Sequence, residues 1–304
     1  MSSGKSLSRF GILALLAGAL SISLSPIFVR LSELGPSATA FHRLFLSLPV
    51  LWLWLWIDSG RKRDLPKVPL RARDYRILAL AGFFFACDLG AWHWSIQLTS
   101  IANSTLLANT APLFVAIGGY LLFGEKITSR IILGTVFAFI GLVLMVGVSF
   151  GTSVQHFIGD ALGVLTAVFY ASYMLALSRL RRSLSTVTIM CGSGLVTCLL
   201  LLPLALLSGE SLIPPSLYGW GLLLGLALIS HAGGQSLITF AFAFLPASFC
   251  SLGLLLQPAA AAVLGWLILG EHLTLLQGAG GLFILAGIAI ARRSSAVSAA
   301  ERKG

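Results

Sequence analysis

The chain of 304 residues is 57% hydrophobic and only 10% charged, against about 25% for an ordinary soluble domain, so it carries more apolar surface than a water-soluble fold can hide. Its apolar residues come in continuous blocks of about 20, the length of a helix that spans a ~30 Å hydrocarbon core, and not in the roughly 10-residue alternating segments of a membrane barrel. The formal charge of +10 comes without a nucleic-acid-binding motif, which argues against a nucleic-acid partner and for loops that face anionic lipid.

The blocks predict an all-α membrane protein with ten transmembrane helices, near residues 10–30, 36–57, 76–99, 101–123, 127–149, 157–178, 184–207, 216–241, 246–270 and 273–291. The first block follows Lys5 and Arg9 and has small residues at 21–25, features shared with a signal peptide. Its removal would leave nine spans and break the repeat described below, so it is read as the first span. In the second, Trp52, Trp54 and Trp56 suit an interfacial aromatic belt. Short breaks at 99–100 and at Pro246 separate neighbouring spans, because Pro and clusters of small polar residues favour turns. Cys87, Cys191, Cys198 and Cys250 all fall inside apolar blocks without metal-ligand or CxxC spacing and read as free thiols.

Orientation follows from basic residues, which accumulate in cytoplasmic loops. With the N-terminus inside, 18 of the 20 Lys and Arg fall in cytoplasmic segments, Arg30 alone falls in an outer loop, and Arg43 lies within the second span. One missed span would invert every later loop, so the split supports both the count and cytoplasmic termini.

The fourth and fifth spans align without gaps to the ninth and tenth at an offset of 146 residues. Pro112, Gly119, Gly124, Glu125, Thr128, Gly134, Phe137 and Gly141 meet Pro258, Gly265, Gly270, Glu271, Thr274, Gly280, Phe283 and Gly287. Each half has five spans, an odd number, so two inverted five-helix repeats are expected, over residues 1–150 and 151–304, the second with a short cytoplasmic C-terminal tail. Inverted repeats with a site at the midplane are characteristic of secondary transporters.

The phrases PLFVAIGGYLLFGEKIT, from Pro112, and PAAAAVLGWLILGEHLT, from Pro258, resemble the Pro-to-Gly-Glu signature of EamA-type proteins of the drug/metabolite transporter superfamily. Arg43, in AFHRLFLSLP, matches the Arg that such proteins carry in the second span. The resemblance implies a ten-helix, two-repeat fold with a central solute cavity, and commonly the export of amino acids, other metabolites or drugs. The expected location is the bacterial inner membrane, and the expected partners are a small-molecule substrate and lipid.

Ionisable residues at a helix centre are costly in a bilayer, by about 2.5–3.5 kcal/mol, and so point to sites. Asp88 shares a helical face with Phe84, Trp92, Ser95 and Thr99, a polar and aromatic stripe suited to a cavity wall and to a substrate ammonium; the alternative is a structural pair with His93 or His231. Those two histidines suit either proton carriage or a structural hydrogen bond. Arg43 suits either a substrate carboxylate or an interfacial, helix-capping role. Asn109 and Gln257 flank the two repeat-matched prolines, where kinked backbone exposes polar groups or an amide bridges helices. Tyr170, Tyr173, Gln235 and Ser236 are further cavity candidates. Pro112, Pro258, Glu125 and Glu271 read as architectural, each Glu capping its own hairpin turn, and the matched glycines as packing seams.

A secondary transporter working by alternating access, an exporter of small polar or zwitterionic metabolites such as amino acids, is therefore expected. A passive channel or facilitator is the alternative. An intramembrane enzyme would need a nucleophile–base set or metal box, for which Asp88 alone is central, and no ATP-binding GxxxxGK[ST] sequence occurs. Neither cofactor nor metal is expected.

Overall fold

The computed structural model of the chain describes residues 2–61, 71–99, 101–146, 153–269 and 274–301. Among them there is no strand. In chain order the helices are α1 (Ser2–Ile22), α2 (Ser25–Leu31), α3 (Pro36–Phe45), α4 (Leu48–Arg61), α5 (Ala72–Leu98), α6 (Ile101–Ala108), α7 (Ala111–Phe123) and α8 (Ser129–Val146). They continue as α9 (Val154–Leu180), α10 (Thr186–Leu207), α11 (Leu217–Gly225), a π-helical segment (Leu226–Gln235), α12 (Ser236–Ala241), α13 (Ala247–Gly253), α14 (Leu256–Leu269) and α15 (Leu275–Glu301).

Four of the breaks are set by proline, which lacks an N–H and collides with the carbonyl four residues back. Accordingly α1 ends at Ile22, α3 at Phe45 and α6 at Ala108, each four residues before Pro26, Pro49 and Pro112. In the same way Leu254, four residues before Pro258, is the C-cap of α13. Each pair α1–α2, α3–α4, α6–α7 and α13–α14 is thus one bent rod. The kinks at Pro112 and Pro258 are anticipated by the repeat; those at Pro26 and Pro49 are not.

Among the described residues, eight stretches are long and apolar enough to cross a membrane: Arg9–Leu31, Pro36–Gly60, Ala72–Trp92, Ser104–Phe123, Val154–Leu180, Thr186–Leu207, Leu217–Ala241 and Ala247–Ile268. The chain is a multi-pass membrane protein. The other two expected spans correspond to shorter apolar helices, Ser129–Leu144 and Leu275–Ala291. Trp52, Trp54 and Trp56 are all exposed on α4, as an interfacial belt requires.

Packing follows the repeat. Taken in order, α5 lies on α9 much as the π segment and α12 lie on α1, while α3 with α10, α7 with α13, and α8 with α15 pair each segment with its counterpart in the other half. The α8 and α15 backbones approach closely. A Cβ on Gly134 would lie 2.6 Å from the Gly287 carbonyl oxygen, and one on Gly141 would lie 2.4 Å from that of Gly280. Between these contacts Phe137 stacks on Phe283, with ring centroids 5.9 Å apart. Four matched glycines therefore let two backbones touch, as small residues do at membrane helix crossings.

Candidate functional site

The polar residues of the interior converge on the bent and π-helical parts of the bundle. Arg43 comes from the last turn of α3, Asp88 from the middle of α5, Tyr170 and Tyr173 from α9, His231 and Gln235 from the π segment, and Gln257 from the first turn of α14. Asp88 is 8% exposed and His231 1%. The Arg43 guanidinium is the hub: it acts electrostatically on Asp88, Tyr170, Tyr173 and His231. Among the described residues, Arg43 and Asp88 make no direct ion pair.

A second layer fixes these groups. The Gln235 amide donates to the Tyr173 hydroxyl at 3.4 Å, and the Phe85 ring lies between Tyr173, 4.6 Å away, and His231, 5.9 Å away, nearly parallel to both. Tyr170 and Tyr173 are neighbours, with centroids 6.3 Å apart. His231 and Gln235 both belong to the ten-residue π segment, a rare helical form that recurs at functional sites. Arg43 Nε, Gln257 Nε2 and both ring nitrogens of His231 are buried without a hydrogen-bond partner. Such groups are rare in native interiors and call for a ligand, a proton or water.

Between the two repeat-matched kinks lies a cavity of about 30 Å³, lined in part by Asn109, Pro112, Tyr170, Ser251 and Gln257. The Asn109 side chain donates to the Thr105 carbonyl at 2.8 Å, which also accepts the Asn109 backbone N–H at 3.1 Å. The volume admits about one water molecule, so a solute enters only when the surrounding helices part.

Three residues of the Asp88 stripe, Phe84, Ser95 and Thr99, meet α9. Phe84 stacks with Phe169, Ser95 donates to the Gly159 carbonyl at 2.8 Å, and Thr99 donates to Asp160 at 2.6 Å. Trp92, one turn beyond Asp88, is half-buried. His93 falls in α5 with its side chain outside the described residues, and Glu271 lies outside them altogether. Cys191, Cys198 and Cys250 are buried free thiols, and Cys87 is half-buried.

Two further sets of contacts tie the ends of the bundle. At one end, the buried Glu125 reaches past its own turn to α13, accepting from Ala247 N at 3.0 Å, Ser248 N at 3.3 Å and Ser248 Oγ at 2.9 Å. Arg182 lies over the Phe123 ring beside it, 4.7 Å from the centroid. At the far end of α10, Glu210 accepts from Ala38 N at 2.8 Å, capping α3, and Glu33 accepts from Ser216 Oγ at 2.6 Å. Sequence reasoning passes over Phe85, Asp160, Glu210 and Glu33. Asp160 alone had a signal, an acidic residue within a span.

Known proteins add an independent line. The chain matches the model of the EamA-like transporter family twice, over residues 9–147 and 157–293. An uncharacterized transporter of Archaeoglobus fulgidus is 26% identical over 285 residues, 94% of this chain and 97% of the relative. The pseudopaline exporter CntI of Pseudomonas aeruginosa is 28% identical over 74% of this chain and 78% of its own. The threonine/homoserine exporter RhtA of Escherichia coli is 30% identical over 69% of this chain and 70% of its own. A protein of known crystal structure superposes with a TM-score of 0.76 at 18% identity, covering 96% of this chain and 98% of that one, which supports the fold alone. With both halves matched, the chain belongs to the EamA-like transporter family.

Proposed function

We propose that the chain is a secondary transporter, an exporter of small polar or zwitterionic metabolites such as amino acids, working by alternating access. In this reading ten spans form two inverted repeats, residues 1–150 and 151–304, in a bacterial inner membrane with both termini cytoplasmic. The carrying observation is the set of buried Asp88 and His231 with half-buried Arg43, Tyr170 and Gln257, drawn from both halves and including buried polar atoms without a hydrogen-bond partner. Trp92, His93, Asn109 and Gln235 complete the proposed solute site. Carboxylate and guanidinium together suit a solute bearing both charges, and the exporter names of CntI and of RhtA, a threonine/homoserine exporter, agree with outward transport. The Glu125 contacts close the cytoplasmic end, while Glu210, Glu33 and Asp160 close the outer one.

The test is flux in reconstituted vesicles across a panel of amino acids, amines and nucleosides, with and without a pH gradient. Saturable uptake accelerated by unlabelled solute on the opposite side is expected of a carrier. Non-saturable flux without such exchange would replace the carrier by a channel.

A further inference from the structure

Away from the polar cluster, a groove of about 580 Å³ opens on the surface of the bundle between α1, α14 and α15. Its walls belong to the apolar stretches Arg9–Leu31, Ala247–Ile268 and Leu275–Ala291, so it faces hydrocarbon and not water. The side chains that line it are aliphatic, with the exception of Gln277. Gln277 stands at the start of α15, where its side chain accepts from Thr274 N at 3.0 Å and its own backbone N–H donates to Thr274 Oγ1 at 3.2 Å. From that end the groove runs inward to Leu285 on α15 and from Leu264 to Leu256 on α14, since two helices joined by a short connection return antiparallel. Each wall covers eight residue steps, about 12 Å of helix, close to one leaflet's half of a ~30 Å hydrocarbon core.

The groove marks a departure from the repeat. In the first half Gly118 lets α7 close on α9: a Cβ there would lie 2.3 Å from Leu175 Cδ1. At the offset of 146 the matching residue of α14 is Leu264, and α1 holds the place of α9 as the opening helix of its half. Thus α14 presents a side chain at the level where α7 presents none, and that side chain lines the groove. On α1 the wall is made by Leu20 and Leu24, on either side of the break that Pro26 sets.

We propose that this groove holds one acyl chain of a membrane phospholipid, its ester end at Gln277 and its methyl end at Leu256 and Leu285. Lipid tails are as apolar as leucine, so what fixes a tail in a groove is van der Waals packing, and an unfilled concavity forfeits those contacts along its whole lining. The volume falls within the range of about 300–1,000 Å³ that ligand sites occupy. The length matches one leaflet, and the polar end coincides with the level of the glycerol esters. In the orientation proposed above the lipid belongs to the outer leaflet. The assignment needs only the membrane-spanning character of the protein and does not rest on the transporter reading.

The experiment places the full-length protein in nanodiscs of phosphatidylethanolamine and phosphatidylglycerol doped with phosphatidylglycerol that carries a diazirine, either near the ester or at the chain end. After irradiation, adducts are located by peptide mass spectrometry. Groove residues on α1, α14 and α15 are expected to label severalfold more than Leu199, which is exposed on α10. The ester-proximal probe should favour the end at Gln277 and the terminal probe the end at Leu256 and Leu285. Gly278→Leu, whose Cβ meets nothing within 4 Å, fills the groove and should lower labelling there severalfold; Val263→Phe, from the α14 wall, is a second filling variant should the first not fold. Groove labelling no greater than that of Leu199, labelling that ignores the depth of the diazirine, or undiminished labelling in a folded filling variant overturns the proposal. So does efficient disulfide cross-linking of two protein copies through Val263→Cys, which makes a second copy the occupant.

Discussion

Glu125 offers the most direct measure of how the two halves are held together. Its carboxylate takes the first N–H groups of α13, those of Ala247 and Ser248, together with the Ser248 hydroxyl. These amides begin a helix and have no partner within it. Glu125→Gln keeps the shape but replaces an ionised acceptor by a neutral one, and its amide N–H₂ is turned against a donor. Charge-assisted hydrogen bonds contribute about 1.5–3 kcal/mol and neutral ones about 0.5–1.5, so three bonds weaken by roughly 1 kcal/mol each. Losing the charge at a helix N-terminus adds about 0.3–1 kcal/mol. A total of about 3.3–4 kcal/mol corresponds to a several-hundredfold change in the equilibrium between closed and open forms of this end. Cys250, a fully buried thiol on α13, is a native reporter. Maleimide labelling of Cys250 and hydrogen exchange at Ala247 and Ser248 should accelerate at least tenfold in Glu125→Gln, with Ser248→Ala showing a smaller rise. Wild-type labelling and exchange in a folded Glu125→Gln protein would refute the claim that this carboxylate holds the end shut.

Three other outcomes are expected. Gly141→Val should destabilise the protein by about 1–3 kcal/mol in thermal or denaturant unfolding, because its Cβ falls 2.4 Å from the Gly280 carbonyl oxygen, whereas Gly221→Val, which meets nothing within 4 Å, should not. Asp88→Asn should reduce flux of amine-bearing solutes by tenfold or more while leaving folded yield unchanged; equal loss for neutral solutes would make Asp88 structural. Pro258→Ala restores a backbone donor at the α13–α14 bend and should slow turnover more than it weakens binding, as paired binding and flux measurements would show; unchanged flux would remove the bend from the mechanism.

The helical, membrane-spanning character of the chain, its two-repeat family and the bends at Pro112 and Pro258 are legible in the sequence, because each depends on local physics. Block length is set by bilayer thickness, proline acts on the carbonyl four residues back, and Gly134, Gly141, Gly280 and Gly287 declare a close crossing by having no side chain. Asp88, Tyr170, His231 and Gln257 are likewise visible as polar residues in apolar runs. Their mutual arrangement is not. Arg43 comes to face the other polar groups only because α3 is brought against α5, α10 and the π segment, and helical periodicity says which face a residue occupies but not which helix meets it. The same holds for Glu125, whose position after a glycine suggests a cap for its own turn, while the tertiary fold sets α13 within reach, 122 residues away in sequence. The Glu210 cap of α3 spans 172 residues. Burial makes an unpaired backbone donor costly wherever it lies in the chain, so the fold satisfies it with whichever acceptor packing delivers. Composition and repeat thus determine which helices form and where they bend, and only their packing decides which charges face one another.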